Sequence, residues 1–169
     1  MHCLFVDGVV DLVIYLLFEM CINAGLDGVY ESFSACLSTW RFPARLHATH
    51  LDDIFGADRA GKHREAKHIK CQASGLLTLM GPLEQLITNV LIASGVALPA
   101  CHAVLCLICV VNVMAATTRV DVDETTLRDE IERFLDAFVT AFGVDWMTPK
   151  VHWLLHFARI LRKYKRLFN

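Results

Sequence analysis

Among the residues whose type and spacing could do chemistry, His152 and His156 form the sharpest pair. Four residues apart on a helix, the two rings share one face and could offer nitrogens to a single metal ion. Two ligands do not close a zinc site, however, and the pair lacks the intervening Glu of a metalloprotease motif. Trp153, Leu154 and Leu155 lie between them, so the competing reading is a pair of helix-packing histidines. Cys106 and Cys109 form a CxxC beside Cys101 and His102. Leu107 and Ile108 separate them inside a very apolar run, whereas a zinc knuckle needs a second ligand pair and a redox motif needs an exposed helix start. Core packing is the expectation there. His47 and His50 cluster with Asp52 and Asp53 in a polar stretch, a weak divalent-ion signal. His63 and His68 are five apart and do not face one way on a helix. No GxSxG, phosphate-binding loop or GxGxxG occurs, and no acid/base pair is specified by spacing, so no catalytic residue is assigned.

The C-terminus carries a different signal. Arg159, Arg162, Lys163, Lys165 and Arg166 crowd the last eleven residues. Such a cluster suits DNA phosphates, whose binding is mainly charge neutralisation. The bland alternative is a solvated face complementing the dipole of its own helix. Phe157, Leu161, Tyr164, Leu167 and Phe168 place an apolar face beside the charges. The chain as a whole has a net charge of −2 and a pI near 6.4, which excludes a globally basic nucleic-acid domain.

The elements that must position these residues are helical. The chain has 169 residues, 55% of them hydrophobic and 20% charged, with a mean hydropathy of +0.44. That is ample apolar surface to offset chain entropy, so disorder throughout is excluded. The seven cysteines are odd in number and mostly sit in apolar runs, which reads as buried free thiols rather than a disulfide framework. Asp7, Asp11 and Glu19 interrupt the apolar N-terminus, so it does not read as a signal peptide.

Val9 to Ala24 is apolar nearly all round and suits a central helix ended by Gly25 and Gly28. A short helix follows over Ser32 to Trp40, broken by Pro43. Residues 44–61 read as a polar loop with room for one or two helical turns. Lys62 to Met80 reads as one helix, with Ala66, Ile69, Ala73, Leu76, Leu77 and Met80 on one face. Gly81–Pro82 punctuates it, and Leu83, Leu86, Ile87, Val90 and Leu91 make the next face. A break at Gly95–Pro99 precedes a very apolar helix to Ala116. Asp121 or Asp123 caps a helix striped by Leu127, Ile131, Phe134, Leu135, Phe138 and Phe142 and closed by Gly143. Thr148–Pro149 opens the last helix. No strand alternation appears. The expectation is an all-α, irregular bundle of about seven helices with no significant sheet, forming a single domain over 1–169. The alternative is a small membrane protein spanning through 9–24 and 85–118, because Gln85 to Thr118 contains no Asp, Glu, Lys or Arg.

Several blocks resemble transposase-like proteins of eukaryotic DNA transposons, the CACTA and related groups with dinoflagellate-type copies. Thr148-Pro149-Lys150-Val151-His152-Trp153-Leu154-Leu155-His156 is similar to their PKxHWLLH block. Arg64-Glu65-Ala66 through Lys70-Cys71-Gln72-Ala73-Ser74 is similar to their REA…KCQAS block. Met1-His2 with Leu4-Phe5-Val6-Asp7-Gly8-Val9 is similar to the tail of their DxMHxxxxxG block. The resemblance covers the chain from end to end in the same order. It implies a metal-dependent DNA transposase as parent, working by two-metal phosphoryl transfer with Mg²⁺. His2 matches the family His, but the family's Asp would fall just upstream of Met1. The chain is therefore expected to be a fragment of a longer protein. As given it is expected to be catalytically incomplete and without a cofactor of its own. DNA and the remainder of the transposase are its expected partners, with a membrane as the less favoured one. Nuclear or cytoplasmic placement is expected, with a membrane as the alternative.

Overall fold

The computed structural model describes residues 4, 8–42 and 51–164. Seven α-helices and no strand occur among them: α1 (Val9–Asn23), α2 (Val29–Thr39), α3 (Ala57–Ala66), α4 (Ala73–Leu86), α5 (Leu98–Ala116), α6 (Glu124–Phe142) and α7 (Pro149–Tyr164). The protein is an all-α multi-helix bundle.

Helix α1 is buried without a break from Val9 to Phe18, as its all-round apolar sequence requires. It ends in a Schellman turn. The Gly25 amide donates to the Ile22 carbonyl and the Leu26 amide to that of Cys21, both at 2.9 Å. Gly25 sits at φ +91°, a left-handed conformation that a β-carbon would strain. Helix α2 then turns Val29, Tyr30, Phe33 and Leu37 inward at helical spacing.

Phe18 is the centre of an aromatic cluster, with ring centroids 4.8 Å from Tyr30, 5.7 Å from Phe33 and 5.6 Å from Phe55. Phe55 comes from a short 3₁₀ turn, Asp52–Phe55, and α3 starts two residues later. The described part of the expected 44–61 loop is therefore largely helical. Its buried apolar residues, Leu51 and Phe55, are too few to show as a periodic pattern.

The helix expected over Lys62 to Met80 is two helices. Lys67 adopts a left-handed conformation (φ +56°), the chain runs extended, and the Ile69 amide donates to the Asp11 carbonyl of α1 at 3.2 Å. Gly81–Pro82 does not divide the next pair. Pro82 lies inside α4 and is buried with Leu79, Met80, Leu83 and Leu86. Packing of that face offsets the hydrogen bond Pro82 cannot donate, whose loss costs about 3 kcal/mol in an isolated helix. The break comes later, where the Ile92 amide reaches back five residues to Ile87.

The long hairpin of α5 and α6 is the second half of the core. Leu127, Ile131, Phe134, Ala137 and Phe138 form the buried stripe of α6. Glu130 and Arg133 of α6 lie close enough to Cys106 and Cys109 of α5 to influence both thiols. Only residues 117–123 join the two closely packed helices, which makes them antiparallel neighbours. Of the two segments considered as spans, 9–24 holds a helix of 15 residues, short of the ~20 a bilayer needs. Within 85–118 the break leaves α5, 19 residues, long and apolar enough to cross, with 56% of its most apolar window buried inside the bundle.

Candidate functional site

Helix α7 presents two faces. Thr148 caps it, the Val151 amide donating to Oγ1 at 3.4 Å, and Pro149 supplies the pre-set first turn. Val151, Leu154, Ala158 and Leu161 recur at three and four and are buried, largely against α6. The remaining positions present a different chemistry to solvent. Trp153 is 58% exposed and Tyr164 62%, with Ile160 and Leu155 also exposed. His152, His156, Arg159 and Lys163 interleave with them, all exposed. The Lys163 ammonium lies 4.9 Å from the centre of the Tyr164 ring, a cation–π distance.

Of the five cations the sequence singles out, Arg159, Arg162 and Lys163 lie on the described part of α7; Lys165 and Arg166 lie outside the described residues. Arg162 differs from the other two. Its Nε is 3.6 Å from Glu124 at the start of α6, beside Asp121 and Asp123, so a carboxylate already balances its charge. His152 and His156 do share a face, their rings edge to face with centroids 6.1 Å apart. No group of three His, Cys, Asp or Glu side chains able to hold a metal occurs among the described residues. The pair therefore has no third ligand there, and no donor set for Mg²⁺ is present among them either. His2, His47 and His50 lie outside the described residues.

Five of the described thiols are held toward their protonated, inert form. Burial pushes Cys21 up to about 12 and Cys101 to about 11. Cys71 also rises to about 11, from burial first, with the Asp11 carboxylate adding to it. Cys106 and Cys109 are raised mainly by burial as well, and Cys106 Sγ lies 3.7 Å from His102 Nε2. A thiol protonated this firmly is a poor nucleophile. The described cysteines are free, as the sequence reading expects, but Cys109 is exposed on the surface of α5 rather than packed in the core.

Two polar residues matter more than their sequence context suggests. His63 is fully buried, its ring stacked on Tyr30 at 5.9 Å and 15°. Nε2–H donates to the Ile54 carbonyl at 2.7 Å, and Nδ1 accepts the Lys70 amide at 3.1 Å. One neutral ring thus fastens the 3₁₀ turn, α3 and the segment that joins α3 to α4 together. Asp11, 1% exposed in the first turn of α1, accepts the Leu12 amide at 2.8 Å beneath that same segment. The nearby Tyr30 hydroxyl is buried without a hydrogen-bond partner, and burial raises its pKa. No sequence pattern marks His63: it is the one fully buried side chain described in an otherwise polar helix.

Comparison with protein-family models, curated proteins and solved structures yields no match to this chain. The class that fold and surface define is an all-α bundle with one helix exposing cations and aromatics together.

Proposed function

We propose that this chain is a helical segment of a transposase-like protein and that it contacts nucleic acid through α7. One observation carries the contact: Trp153 and Tyr164 are exposed on the same helix surface as Arg159 and Lys163. Cations neutralise phosphates, while an exposed aromatic face stacks on bases at about 1–3 kcal/mol per base. A helix that only needed to be soluble would leave those aromatic positions polar. The role proposed is binding and scaffolding through the exposed face of α7. The Pro149–His156 block and the order of the three motifs support the family assignment.

The test is a titration of short single- and double-stranded DNA at several salt concentrations, following tryptophan fluorescence. Binding should weaken linearly with log salt, and Arg159→Ala and Lys163→Ala should each flatten that dependence by about 0.7–0.9. Trp153→Ala should weaken single-strand binding with no change in salt slope. No binding at low salt, or binding indifferent to all three substitutions, refutes the reading.

A further inference from the structure

We propose that His152 and His156 form an open chelate on the surface of α7 for one borderline divalent metal ion, Zn²⁺ or Cu²⁺, with water in the coordination positions that the protein leaves free. In the sequence the pair competes with a helix-packing role, and the structure removes that role. At about 100° per residue, the pair lies about 160° around the helix from the buried stripe of Val151, Leu154, Ala158 and Leu161. Both rings are exposed. Among the described residues neither has a hydrogen-bond or ion-pair partner. His63, which does pack in the core, is by contrast buried with both ring nitrogens bonded.

The two rings are already neighbours, edge to face with centroids 6.1 Å apart. With one nitrogen of each about 2.0–2.1 Å from a tetrahedral ion, the centroids would stand about 5 Å apart, so closing the chelate takes a shift of about 1 Å. Rotation about the side-chain torsions supplies it, and exposure leaves both rings room to turn. The helix holds both backbones in place, so an ion bound to one ring meets the second at high effective concentration. The surroundings select the ion. Arg159 lies three residues beyond His156, and Lys163 continues the same exposed surface, so the local field opposes a cation. Mg²⁺ and Ca²⁺ need oxygen ligands and charge attraction, and this face offers them little. Zn²⁺ and Cu²⁺ bond strongly to neutral imidazole and can bind against that field. With two protein ligands rather than the four of a structural zinc site, the ion exchanges with solvent and keeps positions open to an outside ligand. The inference rests on the geometry of the pair, and neither on contact with nucleic acid nor on the family resemblance.

Isothermal titration calorimetry of the purified full chain with Zn²⁺ at neutral pH, in excess Mg²⁺, tests it. The wild type should take up one ion per chain more than the His152→Ala/His156→Ala double variant. Each single variant, at an exposed position and checked for unchanged helix content by circular dichroism, should weaken that site at least about tenfold, the loss that even an outer-shell partner brings. Cu²⁺ should bind more tightly than Zn²⁺. Zn²⁺ should also slow amide hydrogen exchange between His152 and His156 in the wild type and not in the double variant, because the chelate ties that turn together. Three results overturn the inference. One is equal uptake by the wild type and the double variant, which assigns any bound zinc to other donors such as the exposed Cys109. Another is loss of the site when Mg²⁺ is added, which assigns the ion to oxygen ligands. The third is one ion per two chains with a dimer in sedimentation, which makes the site a closed one shared between copies.

Discussion

Acid should loosen the N-terminal half of the bundle through one residue, His63. Its imidazole is buried against Tyr30 and Phe55 and bonded through both nitrogens. Burial holds its pKa below the ordinary value, and the nearby Arg59, His68 and Lys70 push the same way. The Ile54 carbonyl opposes them. Protonation would place a hydrogen on Nδ1, facing the Lys70 amide hydrogen it now accepts, so the charged ring loses that bond as well as its solvation. Because the folded pKa is the lower one, the unfolded chain binds more protons in the acid range. The stabilisation is then fully present above the unfolded value of about 6.5 and is lost as pH falls from there toward the folded value. As pH falls below about 6.5, His63 should progressively destabilise the fold, with a slope of at most about 1.4 kcal/mol per pH unit while the folded ring stays neutral. Urea unfolding followed by circular dichroism across that window measures it. His63→Gln keeps a donor and an acceptor but loses the stacked ring. It should be about 2 kcal/mol less stable at neutral pH and should lack this part of the pH slope, so the two stability curves converge on acidification. A wild type with no slope in this window refutes the argument, as does a Gln variant that keeps the whole slope.

Two further substitutions probe the same half. Phe18→Ala removes the ring around which Tyr30, Phe33 and Phe55 pack and should cost about 3–5 kcal/mol in urea unfolding. Gly25→Ala forces a β-carbon onto φ +91° and should cost about 1 kcal/mol. Gly28→Ala, at φ −89° with open space around the new carbon, should stay within about 0.5 kcal/mol of wild type in the same assay.

What could be read from the sequence depended on how much of each element's position is decided locally. The stripe Leu127, Ile131, Phe134 and Phe138 reads correctly because α6 alternates apolar and charged faces strongly, and those four residues are fully buried. The run from Lys62 to Met80 reads as one helix because its apolar spacing continues through a break that only a partner can explain. Ile69 leaves the helix to meet the Asp11 carbonyl more than fifty positions earlier in the chain. Pro82 misleads for the opposite reason: a strong local breaker is overruled by the buried face around it. His63 is hardest of all, since nothing in Gly61-Lys62-His63-Arg64-Glu65 distinguishes a core residue from a solvated one. On α7 the cations are legible as composition. Which of them remains available is not, because Glu124 approaches Arg162 only once α6 and α7 pack.

That last contact sharpens the expectation for nucleic acid. Among the described residues no carboxylate pairs with Arg159 or Lys163, so a phosphate meeting either gains a partner without displacing one. At Arg162 it must displace Glu124, exchanging one anion for another in the neighbourhood of Asp121 and Asp123. The counterion released from the phosphate is then offset by a cation drawn to the freed carboxylate, and the salt dependence of binding barely changes. Arg162→Ala should accordingly leave the salt slope within about 0.3 of wild type, against about 0.9 on duplex for Arg159→Ala. Glu124→Gln should strengthen binding by releasing Arg162 and steepen the slope toward one further contact. An Arg162→Ala effect on slope as large as that of Arg159→Ala would mean the Glu124 pair does not hold in solution, and the distinction among these cations would fall with it.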